Sequence, residues 1–226
     1  MTLNRTFFRR PHGVGSSLNI WMFTPRSLLR HVRTLITEPA YFYDRAKVMI
    51  FQITHPGTPW LTQQAIRFLG ENLRPEMHGF EWGSGRSTVW LASRVKRMVS
   101  VEHDPQWYEA IRRKLAALQL SVDYRLVSKD KLDDYVGQIE EFPDGFFDFA
   151  LIDGESREGC LRAVARKVRR GGFVILDNAD YEFDTSSLSD YDYQPTCNGV
   201  WRTDIFVRRD KIDNAQPSAS GSVRKP

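Results

Sequence analysis

Within seven positions the segment "FEWGSGRSTVW", residues 80–90, carries Glu81, Gly83, Gly85 and Ser87: a carboxylate, two glycines and a hydroxyl. Glycines at that spacing let the backbone pass close to a ligand, because no Cβ stands between the chain and the bound molecule. The carboxylate narrows the ligand's charge. A negative group just ahead of the turn repels a pyrophosphate and attracts a molecule with an ammonium or sulfonium centre. Twenty-one residues after Glu81 comes Glu102, at the end of the next apolar run, where an acidic side chain accepts hydrogen bonds from both hydroxyls of a ribose. Together these residues ask for a nucleoside with a positive tail. The competing reading makes the glycines a plain tight turn and the two glutamates surface carboxylates at strand ends. A dinucleotide site would continue G-x-G-x-x-G/A, but here the third place is Thr88 and the bulky Arg86 intervenes.

Those groups must be brought to one edge of a sheet. From residue 77 onward the chain alternates short apolar runs with longer helix-like stretches, the pattern of βα units and a parallel sheet. "MHGFEW" reads as the first strand, "STVWLASRVK" as its helix and "RMVSVEH" as the second strand. In "DPQWYEAIRRKLAAL", Asp104 can cap a helix whose first turn takes Pro105. "SVDYRLV" is the third strand and "KDKLDDYVGQIE" a polar helix. "FFDFALID" and "GGFVILDN" are the fourth and fifth strands, with the helix "REGCLRAVARKVRR" between them. Beyond them "YEFDTSSLSD" reads as loop or a single helical turn, and "YDYQP" with "WRTDIFVRR" as an antiparallel hairpin around "TCNGV". Asp153 and the pair Asp177-Asn178 then end the fourth and fifth strands, at the carboxyl edge where open α/β sheets bind ligands.

With 226 residues, 41% hydrophobic and 27% charged, the chain suits one globular domain plus extra chain at its ends. Cys160 and Cys197 make neither a disulfide framework nor a metal knuckle, and His12, His31, His55, His78 and His103 show no metal-ligand spacing. No apolar run approaches the ~20 residues that span a bilayer, and no secretory h-region is present, so a soluble, cytoplasmic protein is expected. Tyr43 and Lys47 have the Y-x-x-x-K spacing of short-chain dehydrogenases, but they precede the glycine turn instead of following it.

The charge of +4 is uneven: residues 1–47 hold eight Lys and Arg against two Asp and Glu, a net +6, leaving −2 for the remainder. In "TPRSLLRHVRTLITEP", Thr24 can cap a helix, Pro25 suits its first position and Glu38-Pro39 marks its end. Leu28, Leu29, Val32, Leu35 and Ile36 share one face, with Arg26, Arg30 and Arg33 toward the other. Such a helix either docks on the domain with a solvated basic face or meets an anionic membrane surface or acidic partner. Nucleic acid is disfavoured, because the body is slightly acidic and shows no binding module. Residues 212–226 are polar and breaker-rich, an expected disordered tail.

Through "FEWGSGRS", "VSVEHD", "FDFALIDG" and "GGFVILDN", over about residues 60–209, the sequence resembles the class I S-adenosylmethionine-dependent methyltransferases. The resemblance implies an α/β fold, a doubly wound, mostly parallel seven-stranded sheet with an antiparallel last strand, and S-adenosylmethionine as cofactor. The chain then divides into a basic arm at 1–59, a methyltransferase domain at 60–211 and the tail at 212–226. Carried over residue by residue, Glu81 approaches the methionine ammonium, and Gly83 and Gly85 admit the carboxylate and sulfonium region. Ser87 sits at the helix start and Glu102 holds the ribose. His103 borders the adenine or, alternatively, packs on the next helix.

Methyl transfer is an in-line displacement at the sulfonium methyl, so the protein chiefly aligns the acceptor and deprotonates it when it is a hydroxyl. Asp153, Asp177 and Asn178 also resemble the two aspartates and asparagine with which catechol-type O-methyltransferases hold a hard cation. Oxygen ligands of that kind suit magnesium. That family places a lysine three positions after the first aspartate, where this chain has Ser156 and then Arg157. The metal-free reading is therefore preferred. In it Asp153 is the base or acceptor orienter, Arg157 clamps an anionic acceptor and Asp177 completes the catalytic group; against this, Asp153 is a helix cap and Arg157 a first-turn surface charge. "DNADYEFDTSSLSDYDYQP" is an acceptor lid or a solvated loop. The expected activity is methyl transfer to a hydroxyl or amino group of a small-molecule acceptor. A catalytically silent methyltransferase-like binding module is the alternative. An NAD-dependent oxidoreductase is a further one, opposed by both Glu81 and Thr88.

Overall fold

A computed structural model describes residues 39–210, so the segment 24–38 and the tail 212–226 lie outside the described residues. Seven strands run in chain order as β1 His78–Trp82, β2 Arg97–Glu102, β3 Asp123–Leu126, β4 Phe147–Ile152, β5 Val168–Leu176, β6 Tyr191–Cys197 and β7 Arg202–Arg208. They form one sheet in the order β3-β2-β1-β4-β5-β7-β6. The first five are parallel, and β7 enters antiparallel between β5 and β6. This is the doubly wound mixed sheet that the resemblance implied, and β6 and β7 are the expected hairpin.

The helices are α1 Pro39–Thr54, α2 Gln63–Asn72, α3 Arg86–Ala92, α4 Pro105–Ala117, α5 Leu132–Gly137 and α6 Arg157–Lys167. Both sheet faces are covered. Phe80, Trp82, Val99, Val101 and Ile152 pack with Tyr135, Leu161 and Val164 on one side. Met98, Phe149, Leu151, Phe173 and Ile205 pack with Leu61, Ala65 and Leu69 on the other. Two-sided burial explains why these strands read as continuous apolar runs. Asp104 caps α4 as expected, accepting from the backbone N–H groups of Gln106 and Trp107 at 2.8 Å each. Among the described residues no helix is long and apolar enough to cross a membrane.

The structure departs from the sequence reading in three places. Residues 39–54, to which the sequence reading assigned no helix, form α1, whose first position takes Pro39, where a missing N–H costs nothing. "KDKLDDYVGQIE" is not a uniform polar helix: α5 stops at Gly137 and a 3₁₀ turn covers Gln138–Glu141, with Tyr135 and Ile139 fully buried. Two apolar residues four apart anchor an otherwise charged segment. Finally, α6 ends at Lys167, and β5 begins at Val168, whose pairing with Phe147 requires a register shift before Phe149 pairs with Phe173.

Candidate active site

Parallel register sets Trp82 beside Val101 and Ile152, and Ile152 beside Leu176. Backbone bonds continue one residue further along each strand. The N–H of Gly83 donates to Val101 at 2.9 Å, that of Asp153 to Trp82 at 2.9 Å and that of Asp177 to Ile152 at 3.0 Å. The carboxyl ends of β2, β1, β4 and β5 therefore stand level, and Glu102, Gly83, Asp153 and Asp177 meet there. Between β1 and β4 the strand order reverses, which opens a crevice.

Gly83 has φ of +86°, and a Cβ there would lie 2.6–2.8 Å from the backbone of Asp153 and Gly154. Only glycine lets this turn rest on the β4 end. Gly85 is different: its φ of 175° is ordinary extended backbone, and the nearest atom to a Cβ would be Ser87 Oγ at 3.9 Å. The absent side chain at Gly85 therefore leaves open space beside the turn, as a close approach by a ligand requires.

Beneath the turn lies Glu81, with no exposed surface. Its Oε2 accepts from Thr88 Oγ1 at 2.6 Å and from Ser100 Oγ at 2.7 Å. Thr88 in turn accepts from the N–H of Gly85 at 2.8 Å, so Glu81 grips the turn through Thr88. Its other oxygen, Oε1, is buried without a hydrogen-bond partner. Burial pushes the Glu81 carboxyl up to about 7, against the lowering effect of the Ser87, Thr88 and Ser100 hydroxyls. Ser87 thus lies in the second position of α3 and bears on Glu81.

Glu102 is 2% exposed and receives four hydrogen bonds. Ser84 donates to Oε2 through its N–H at 2.9 Å and its hydroxyl at 2.6 Å, while the N–H groups of His103 and Asp104 hold Oε1. His103 stands at the rim, its Nδ1 3.2 Å from Glu102 and its Nε2 3.7 Å from Glu155. Two aromatic residues that the sequence reading did not select also converge here. The Trp107 indole donates to the Ser84 carbonyl at 2.7 Å, and the Tyr124 hydroxyl lies 2.6 Å from Ser84 Oγ. Asp104, three residues before Trp107 and readable as a cap, orients the first turn of α4, which carries Trp107.

Across the crevice Asp153 keeps 31% of its side chain accessible. Burial raises its carboxyl to about 6, although the guanidinium of Arg157 opposes the shift. Arg157 Nη2 donates to Asp153 Oδ1 at 3.3 Å, to the Asp153 carbonyl at 3.2 Å and to Asn178 Oδ1 at 3.4 Å. Its Nε is buried without a partner. Asp177 is brought to the same level but turned inward: it is 3% exposed, and its Oδ1 accepts from the Thr203 hydroxyl at 2.6 Å. Burial and the neighbouring Asp153 charge hold the Asp177 carboxyl well above the usual carboxylate range. Thr203 also accepts from the N–H of Thr62, and Thr62 pairs with Thr196, which ties the start of α2 to this strand end.

Residues 80–179 match a family model described as a methyltransferase domain. No curated protein matches the sequence. Among solved structures, a methyltransferase-like protein from Silicibacter pomeroyi DSS-3 shares 23% identity over 70% of this chain and 93% of that one, with a TM-score of 0.50. A precorrin-6y C5,15-methyltransferase from Geobacter metallireducens GS-15 shares 19% identity over 66% and 90%, also at 0.50. A Clostridium thermocellum protein, provisionally described as an rRNA methylase, shares 14% identity over 68% and 99%, at 0.52. At these identities the likeness is one of fold. The family match runs over the glycine turn and over Glu81, Glu102, Asp153 and Asp177, so residues 80–179 are similar to a methyltransferase domain, on a sheet whose order is shared with solved methyltransferases.

Proposed function

We propose that the protein transfers a methyl group from S-adenosylmethionine to a hydroxyl, or less readily an amino group, of a small molecule bound beside Asp153. The observation that carries this reading is Asp153 itself, an accessible carboxylate at the β4 end whose pKa is raised to about 6, ionised near neutral pH and able to take a proton there.

The crevice suits the cofactor's charge. Glu81, Glu102, Asp153 and Asp177 belong to four strand ends and influence one another electrostatically, and Glu81 Oε1 has no hydrogen-bond partner among the described residues. Such a set attracts a sulfonium nucleoside and repels a pyrophosphate. When bound, S-adenosylmethionine supplies an electrophilic methyl. Gly83 and Gly85 would admit its methionine end above Glu81 and Ser87. Glu102 would hold the ribose, with Ser84 yielding its place to the hydroxyls, and His103 would border the base. Asp153 then takes the proton of the acceptor hydroxyl, and Arg157 orients Asp153 while its guanidinium charge suits an anionic group on the acceptor.

A divalent cation does not fit Asp153, Asp177 and Asn178. The Arg157 guanidinium already donates to Asp153 and Asn178, and Asp177 is engaged by Thr203. A metal there would face a like charge at contact distance. Calorimetry with S-adenosylmethionine, S-adenosylhomocysteine and NAD tests the cofactor, and a screen of hydroxyl and amino acceptors tests the rest. Binding of NAD without S-adenosylhomocysteine would reject the reading.

A further inference from the structure

Helix α1 presents an apolar stripe to solvent. Tyr43 is 64% exposed, Met49 50%, Ile50 58% and Ile53 69%. At ~100° per residue these four, with exposed Ala46, fall within an arc of roughly 120° on the helix surface. Arg45 lies just beyond one margin of that arc and Lys47 just beyond the other, both exposed. The opposite face carries Tyr41, Asp44, Val48, Phe51 and Gln52, all partly buried. It is the face that meets the domain. Gln52 accepts from Arg86 at the head of α3, and Asp44 lies against Gly199 in the β6–β7 turn. Arg86 also stacks over Trp60, itself 53% exposed, with 5.2 Å to the ring centroid.

A stripe of this width, with aliphatic and aromatic side chains bounded by two long cations, has the form of a helix lying in a lipid interface. The apolar face enters the acyl boundary, tyrosine and tryptophan sit at headgroup level, and Arg and Lys reach up to the phosphates. The charge of the chain selects the lipid. Residues 1–60 carry eight Lys and Arg against two Asp and Glu, while the remainder is net negative. The cationic arm ends where α1 begins.

We infer that α1, with its flanking Arg45 and Lys47 and with Trp60, is a docking surface for an anionic lipid bilayer. The anchored helix lies at the head of α3, next to the glycine turn, so the crevice is held close to the membrane plane. This is independent of which acceptor is methylated and of the role of Asp153.

The test uses the full chain, sedimented with vesicles of phosphatidylcholine alone and of an equimolar mixture with phosphatidylglycerol. Binding is expected to the mixed vesicles, to weaken with added salt, and to be slight with phosphatidylcholine. Ile50→Ser with Ile53→Ser removes apolar surface without changing charge, and should lower partitioning about tenfold or more. Since both side chains are exposed, the thermal melt should stay as in the wild type, and S-adenosylhomocysteine affinity gives a second check that the variant is folded. Failure to sediment with the mixed vesicles, or equal partitioning of the double variant, would overturn the inference. So would a wild-type dimer in gel filtration that the double variant converts to monomer, since the stripe would then face a second copy.

Discussion

Asp153 and Glu81 are both acids with raised pKa values, but their surroundings assign them different consequences. Asp153 opens onto the crevice, so its proton can pass to and from an acceptor. Turnover should fall as the pH drops below about 6, where the carboxyl is protonated and no longer accepts. Asp153→Asn should lower turnover by about 10²–10⁴-fold while changing S-adenosylhomocysteine affinity little, measured by initial rates and calorimetry on the same preparation. Equal losses in both would make Asp153 a binding group. Glu81, in contrast, is sealed, and its titration is read as stability. Its folded pKa of about 7 lies above the unfolded 4.5, so its contribution is fully present below the unfolded value and is lost as pH rises through the folded one. The ligand-free protein should lose about 3 kcal/mol of stability across that window, at ~1.4 kcal/mol per pKa unit. Glu81→Gln should flatten the dependence in denaturant melts at a series of pH values. The placement of Glu81 and Glu102 beside the glycine turn was legible because both acids close apolar runs that read as strands. Thr88 was not. It reads as a departure from a dinucleotide fingerprint, and its link between Gly85 and Glu81 exists only once α3 folds back on β1.

Element by element, what could be read depended on how symmetrically each segment is buried. The strands are apolar on both faces and bounded by turns, so β1, β2, β4 and β5 stand out. The long helix α4 adds its own Asp-Pro start. Helix α1 has apolar residues on its exposed side as well as its docked side, which erases the period that would mark it. The start of α2 is equally silent, because its importance lies in contacts more than a hundred residues away. Thr62 caps α2 through Ala65, donates its N–H to Thr203 and pairs with Thr196, and Thr203 donates to Asp177. Thr62→Val should therefore cost about 1–2 kcal/mol from the lost cap, with part of the loss felt at Asp177, which then accepts from a less fixed Thr203. A melt displaced by less than a few tenths of a kcal/mol would show that water replaces the threonine network. Ser84 likewise links α4 to the sheet, since it bonds Glu102 and Tyr124 and accepts from Trp107. If the ribose displaces Ser84 from Glu102, Ser84→Ala should keep S-adenosylhomocysteine affinity, whereas Glu102→Ala should lose at least about tenfold.

For the whole molecule, the question is where the methyltransferase unit begins, because the family match starts at residue 80 and the folded core does not. Leu61, Ala65, Leu69 and Leu73 cover Met98, Phe149, Phe173 and Ile205 on one side of the sheet. Removing that cover would forfeit roughly 1.5–3 kcal/mol for each leucine, a sum comparable to the whole stability of ~5–15 kcal/mol typical of a domain. The groups proposed for the cofactor all lie from Glu81 onward, yet Asp177 is tied through Thr203 to Thr62. A truncation series therefore separates three layers of the chain. Removing residues 1–38 should leave the melt and S-adenosylhomocysteine affinity as they were, because no cofactor group and no buried contact described above is lost. Starting at residue 60 should keep a folded, cofactor-binding protein, slightly less stable for the loss of the Gln52–Arg86 and Asp44–Gly199 contacts. Starting at residue 75 should give insoluble or molten protein, since one sheet face is left bare. Circular dichroism and calorimetry on the three fragments decide the matter: a cooperative melt with cofactor binding from residue 75 onward would show that the sheet needs no cover from α2, and loss of binding in the 39–226 fragment would show that the cationic segment completes the crevice.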